Sequence, residues 1–215
     1  MSEEVQAFEI IFRGGPLMWP IMACSVVAFG IAIERFIVLR RAAISSREFL
    51  EAIRQVLRQG RVQDAVALCD EAEAPLARVV RAGLLKSGRA REEMREAMED
   101  AGKIEVPRLE RFLPGLATCA SVAPLLGMLG TVQGLINCFA AIQFKQGLVN
   151  PSDLAGGIGN ALVTTAAGLV VAIPTLVLYN YFVARVDSLT VQFEVSASEV
   201  LDLVAVDEND GGFGR

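Results

Sequence analysis

Three apolar runs set the pattern of this 215-residue chain. The first covers residues 16–33, meets Glu34 and Arg35, and resumes as "FIVL". The second covers 112–144, 33 residues without a charge, and the third covers 154–184, 31 residues without one. About 20 apolar residues suffice to cross the hydrocarbon core of a bilayer. The pattern therefore predicts an all-α membrane protein with three transmembrane helices, at 16–40, 112–144 and 154–184. A short segment, 1–15, precedes them, and 145–153 joins the second span to the third.

Between the first two spans the period changes to that of amphipathic helices, which predicts a helical domain over 41–111. "SSREFLEAIRQVLRQG" opens with Ser45 and Glu48 at capping-box spacing and stops at Gly60. "RVQDAVALCDEAEAP" and "PLARVVRAGLLKSG" place apolar residues at three- and four-residue steps and end at Pro or Gly. "REEMREAMEDAGKIEVPRLERF" leads into the second span. After the third span, Val186, Leu189, Phe193, Val200 and Leu203 continue a helical period, predicting a helix over 185–206. The acidic end, 207–215, is expected to be disordered.

Charge adds an orientation. Of 20 Lys and Arg residues, 15 lie between Arg40 and Arg111, while 145–153 holds only Lys145 and 1–15 only Arg13. The positive-inside rule then puts 41–111 and the C-terminus in the cytoplasm and the N-terminus in the periplasm. The opening "MSEEVQAFEI" is acidic where a cleavable signal peptide needs positive charge, so the first span is expected to be retained. Glu34, beside Arg35, reads as an interfacial anchor.

Composition narrows the chemistry. The chain has no histidine, which excludes His-dependent catalytic triads and most zinc sites. Its four cysteines lack metal-ligand spacing and read as buried thiols. No cofactor, metal, enzymatic activity or nucleic-acid partner is expected.

The small and polar residues inside the spans need a separate reason. Ala123, Gly127, Thr131, Gly134, Cys138 and Ala141 share one face of the second span, with Gly130 beside them, and Leu125, Leu129, Val132, Ile136 and Phe139 share the opposite face. In the third span Ala161, Thr165, Gly168 and Ala172 form a second small stripe flanked by Asn160 and Thr164. Small stripes let helix backbones approach, and hydroxyls in hydrocarbon must meet a partner or water. Thr131 and Thr165 are equidistant from residue 148, so a hairpin is expected to set them side by side. Periodicity leaves two uses open, helix packing and a hydrated ion path.

The stretch "APLLGMLGTVQGL" followed by "GGIGNALVTTAAGLVVAIPTLVLYNYFVARV" resembles the second and third helices of the ExbB/TolQ/MotA family of proton-channel subunits. "ALCDEAEAPLARVVRAGL" is similar to the family's cytoplasmic helices, and the resemblance covers roughly residues 15–205. Three spans with the N-terminus outside fit the ExbB and TolQ types better than the MotA type.

The resemblance implies a stator subunit rather than an enzyme: a homo-oligomer, by implication a pentamer, in the bacterial inner membrane. It implies a single-span ExbD- or TolR-like partner whose membrane aspartate carries the proton, and a TonB- or TolA-like energy transducer. By matching motifs, Thr131 and Thr165 take the pore-lining roles, with Asn160 and Thr164 alongside. Gly127, Gly130, Gly134 and Gly168 take helix packing, and Pro174 matches the proline that bends the third helix. Where several members carry a Glu five residues before the third-helix Thr, this chain has Asn160, which cannot titrate. An ExbB-type role in TonB-dependent transport is expected, with a TolQ-type role in envelope integrity or a non-conducting scaffold as the alternatives.

Overall fold

A computed structural model describes residues 15–144 and 151–210, with side chains described for 15–144 and 154–204. Among the described residues six helices follow one another: α1 (Met18–Leu57), α2 (Val62–Glu71), α3 (Pro75–Leu84), α4 (Arg91–Glu110), α5 (Leu113–Phe144) and α6 (Pro151–Asp210). No strand occurs among the described residues. Among the described residues three stretches are long and apolar enough to cross a membrane, in α1, in the segment ending with α5, and in α6. Most of the expected segment 1–15, of the connection 145–153 and of the tail 207–215 lies outside the described residues. Helix α6 is longer than the expected pair of segments, starting at Pro151 and reaching Asp210.

The chain divides into two units. One takes the described residues up to Ile33 and those from Phe112 to Tyr181; the other takes Glu34–Arg111 and those from Phe182 onward.

The first unit is built from the apolar parts of α1, α5 and α6. Its outward side chains include Val26, Phe29, Phe139, Leu162, Val170 and Ile173, all more than 60% exposed. Such a surface suits hydrocarbon or a neighbouring subunit rather than water, because a soluble monomer rarely exposes apolar patches of this extent. Where α1 meets α5, a Cβ on Gly115 would sit 3.4 Å from Ile31 Cδ1, ordinary van der Waals contact.

The second unit is an amphipathic helical bundle. On α6, Phe182, Val186, Leu189, Phe193, Ser196 and Val200 are buried at three- and four-residue steps. The stripe continues to Val204, which is 3% exposed, while Leu203 is half-buried, so Val204 replaces Leu203 as its last member. On α1 the buried stripe runs through Ala42, Ser46, Phe49, Ile53 and Leu57. That unbroken stripe explains a departure from expectation at Ser45. No helix starts there; α1 continues, and the Ser45 hydroxyl donates to the Ala42 carbonyl at 3.4 Å. Packing of the long helix outweighs the local cap. Gly60 and Gly88 do end helical segments, each with positive φ (70° and 83°), the conformation that glycine adopts without a Cβ penalty. Burial pushes the Cys69 thiol up to about 12, so it stays protonated and unreactive at neutral pH.

Among the described residues of this unit, one carboxylate is buried. Glu105 on α4 is 3% exposed, and it pairs with Arg78 of α3 at 2.6 Å and with Arg108 one turn along its own helix. Both arginines are largely solvated, so neither is stranded if the acid is lost. The acid depends on them more than they depend on it. Replacing Arg78 or Arg108 alone by alanine is expected to cost about 1 kcal/mol, because the other guanidinium remains. The double replacement leaves Glu105 buried without either cation and is expected to cost about 3 kcal/mol or more, exceeding the sum. Thermal unfolding of the four proteins followed by circular dichroism checks this, and strict additivity would contradict it.

Candidate functional site: the α5–α6 face

Helices α5 and α6 run antiparallel and touch through their small residues. A Cβ at Gly127 would lie 3.0 Å from Thr165 Cα, and one at Gly168 would lie 2.5 Å from the Ala123 carbonyl oxygen and 3.2 Å from Gly127 Cα. At Gly130 it would meet Thr164 Cγ2 at 2.6 Å, and at Gly134 it would meet Ala161 Cβ at 2.6 Å. Two of these contacts are against backbone, which cannot rotate aside. Close backbone approach of this kind is how helices associate where no hydrophobic force drives them together.

Each threonine hydroxyl has an acceptor. Thr165 Oγ1 donates across the interface to the Gly127 carbonyl at 2.7 Å. Thr164, 1% exposed against Gly130, donates to the Asn160 carbonyl at 3.0 Å. Thr131, half-buried, donates to the Met128 carbonyl on its own helix at 2.7 Å. The structure brings Thr164 and Thr165 together against α5 and leaves Asn160 on an exposed side of α6.

The register differs from the expected one. Thr165 faces Gly127 rather than Thr131, which lies one turn farther along α5. The midpoint of the connection does not set the alignment; the small residues do, because only they allow contact at this distance. Pro174 lies exposed on α6, and the helix continues past it without the N–H that would bond the Val170 carbonyl.

Two further polar residues stand out once the helices are paired. Gln133 and Asn137, four apart on α5, are both exposed, and Gln133 Nε2 donates to Asn137 Oδ1 at 3.2 Å. Because Gly134 meets Ala161 and Gly157 lies against the Cys138 thiol, this stretch of α5 lies opposite residues 157–161 of α6. Gln133, Asn137 and Asn160 therefore occupy one level of the unit. Exposed carboxamides are costly against acyl chains, so this level suits water or a polar partner. Their four-residue spacing within a charge-free run is the sequence signal for them.

Residues 71–195 match the MotA/TolQ/ExbB proton channel family. The chain belongs to this family. A relative named ExbB-like 3 from Synechocystis sp. is 34% identical over 170 residues, covering 79% of this chain and 81% of that protein. The Tol-Pal system protein TolQ of Pseudomonas aeruginosa is 28% identical over 194 residues, covering 85% and 84%. The biopolymer transport protein ExbB of Pseudomonas putida is 41% identical over 100 residues, 46% of this chain and 30% of that protein. As a member of the MotA/TolQ/ExbB family, the chain is a multi-pass membrane protein of a transport and channel family. The α5–α6 face lies wholly inside the matched region.

Proposed function

We propose that this chain is the ExbB-like stator subunit of a bacterial inner-membrane motor, which uses the proton motive force to energise TonB-dependent outer-membrane transport. The observation that carries the reading is the polar level of Gln133, Asn137 and Asn160 beside the hydroxyls of Thr131, Thr164 and Thr165. Hydroxyls and carboxamides can hold a water chain or a partner's carboxyl group, but they do not titrate. The spans 112–144 and 154–184 contain no acidic residue, so the proton carrier in this reading is a membrane aspartate on a single-span ExbD- or TolR-like partner. The chain assembles as a homo-oligomer, a pentamer by family resemblance, with α5 and α6 inward and α1 toward lipid. A TonB- or TolA-like transducer completes the machine.

A TolQ-type role in envelope integrity is the second reading, favoured by the TolQ relative that aligns along most of both chains. Complementation separates the two. Expression in bacteria lacking their own ExbB and TolQ is expected to restore TonB-dependent uptake; restoration of detergent resistance alone would favour the TolQ role. Restoration of neither, with the partner supplied, would favour a non-conducting scaffold.

Orientation is open to a direct check. Single cysteines placed between residues 47 and 100 are expected to resist membrane-impermeant maleimides in intact cells, and those at 147–151 to react. The native Cys69 adds no background, being buried and protonated. The reverse pattern would overturn both the periplasmic N-terminus and the stator reading.

A further inference from the structure

The break between α4 and α5 is two residues long and strained. Helix α4 ends at Glu110, α5 starts at Leu113, and Phe112 between them has φ of 69°. A bulky L-residue in the left-handed region is an outlier, because its Cβ crowds the neighbouring carbonyl. Glycine would sit there without that crowding, yet the chain carries phenylalanine. Something else must hold the geometry.

Arg35 on α1 is placed to do so. Its side chain is 3% exposed, and Nη1 donates to the Leu109 carbonyl at 3.0 Å and to the Arg108 carbonyl at 3.5 Å. These are among the last carbonyls of α4, which have no helical N–H to bond because the helix stops. A cation at a helix C-terminus also meets the negative end of the dipole. The other edge of the guanidinium is held by Glu34, with Nε to Oε2 and Nη2 to Oε1 each at 2.5 Å. One planar fork thus bonds an acid on one side and two carbonyls on the other, an arrangement that a lysine ammonium cannot reproduce.

We infer that Arg35, braced by Glu34, is a positioning residue that holds the strained joint at Phe112 in its closed form. The chain passes from the second unit to the first at this joint. Its closed population therefore sets how often the first turn of α5 opens.

Hydrogen exchange of the full chain in lipid nanodiscs tests this, read at the Leu116 amide, which bonds the Phe112 carbonyl at 3.1 Å. Arg35→Gln is expected to speed exchange there about tenfold, and Arg35→Lys nearly as much, because the fork is lost in both. Adding Phe112→Gly to Arg35→Gln is expected to bring exchange back to within about threefold of the parent, because glycine accepts positive φ. Phe112→Ala keeps the strain and is expected not to rescue. Two single variants report independently of whether Arg35→Gln folds: Glu34→Gln speeds exchange about threefold and Phe112→Gly slows it. Unchanged exchange in both of these variants, or equal rescue by glycine and alanine, would overturn the inference.

Discussion

Gly168→Ala is expected to cripple the folded membrane unit, while Gly30→Ala is expected to leave it intact. A methyl at Gly168 would lie 2.5 Å from the Ala123 carbonyl oxygen and 3.2 Å from Gly127 Cα, so the two helices must separate to admit it. Overpacking against movable side chains costs about 1–3 kcal/mol, and a backbone obstacle puts the change at or beyond the upper end. Separation also stretches the bond from Thr165 to the Gly127 carbonyl, which spans the same contact. Gly127→Ala and Gly130→Ala are expected to follow in severity, the first against backbone and the second against a fully buried Thr164. At Gly30 a methyl meets nothing within 4 Å, and alanine's better helix propensity offsets any loss. The thermal midpoint and monodispersity of the detergent-purified proteins measure this. Similar midpoints for the Gly168 and Gly30 variants would contradict the packing described.

The second large effect falls on the hydroxyls. Thr165→Val keeps the branched shape and gives up one interhelical hydrogen bond, worth about 1 kcal/mol in a membrane, so the protein is expected to reach normal abundance. In the proposed ion path the same change removes a group that keeps a passing proton or a partner carboxyl from standing unpaired in hydrocarbon. Partner-dependent uptake at matched abundance is therefore expected to fall about tenfold or more for Thr131→Val and for Thr165→Val, the scale of one lost buried polar contact. Thr165→Ser returns the hydroxyl and is expected to return most of the activity, which separates chemistry from shape. Asn160→Ala, about one turn away, is expected to lose less. Full activity in both valine variants would leave packing as the sole use of these residues.

The three long apolar helices and the helical character of 41–111 were legible because both depend on period and length, which the sequence carries directly. The small-residue stripes were legible for the same reason. Register was not: counting from the middle of the connection put Thr131 opposite Thr165, whereas the contact surface of Gly127, Gly130 and Gly168 sets the alignment one turn away. The cap at Ser45 failed as a helix start because a local hydrogen-bonding option cannot compete with a stripe buried from Ala42 to Leu57. Gln133 and Asn137 share a level with Asn160 only through the pairing of α5 with α6, which no local pattern carries. The fork of Arg35 joins residues more than 70 positions apart, and no local pattern announces it.

Proton flux in liposomes tests the central claim most directly. The chain is reconstituted alone, with a single-span partner carrying a membrane aspartate, and with that partner after aspartate-to-asparagine replacement, under an imposed proton gradient. The account predicts flux only with the intact partner, and a drop of about tenfold when Thr165→Val replaces the parent chain. Flux that is absent with the intact partner, or equal with and without its aspartate, would contradict it.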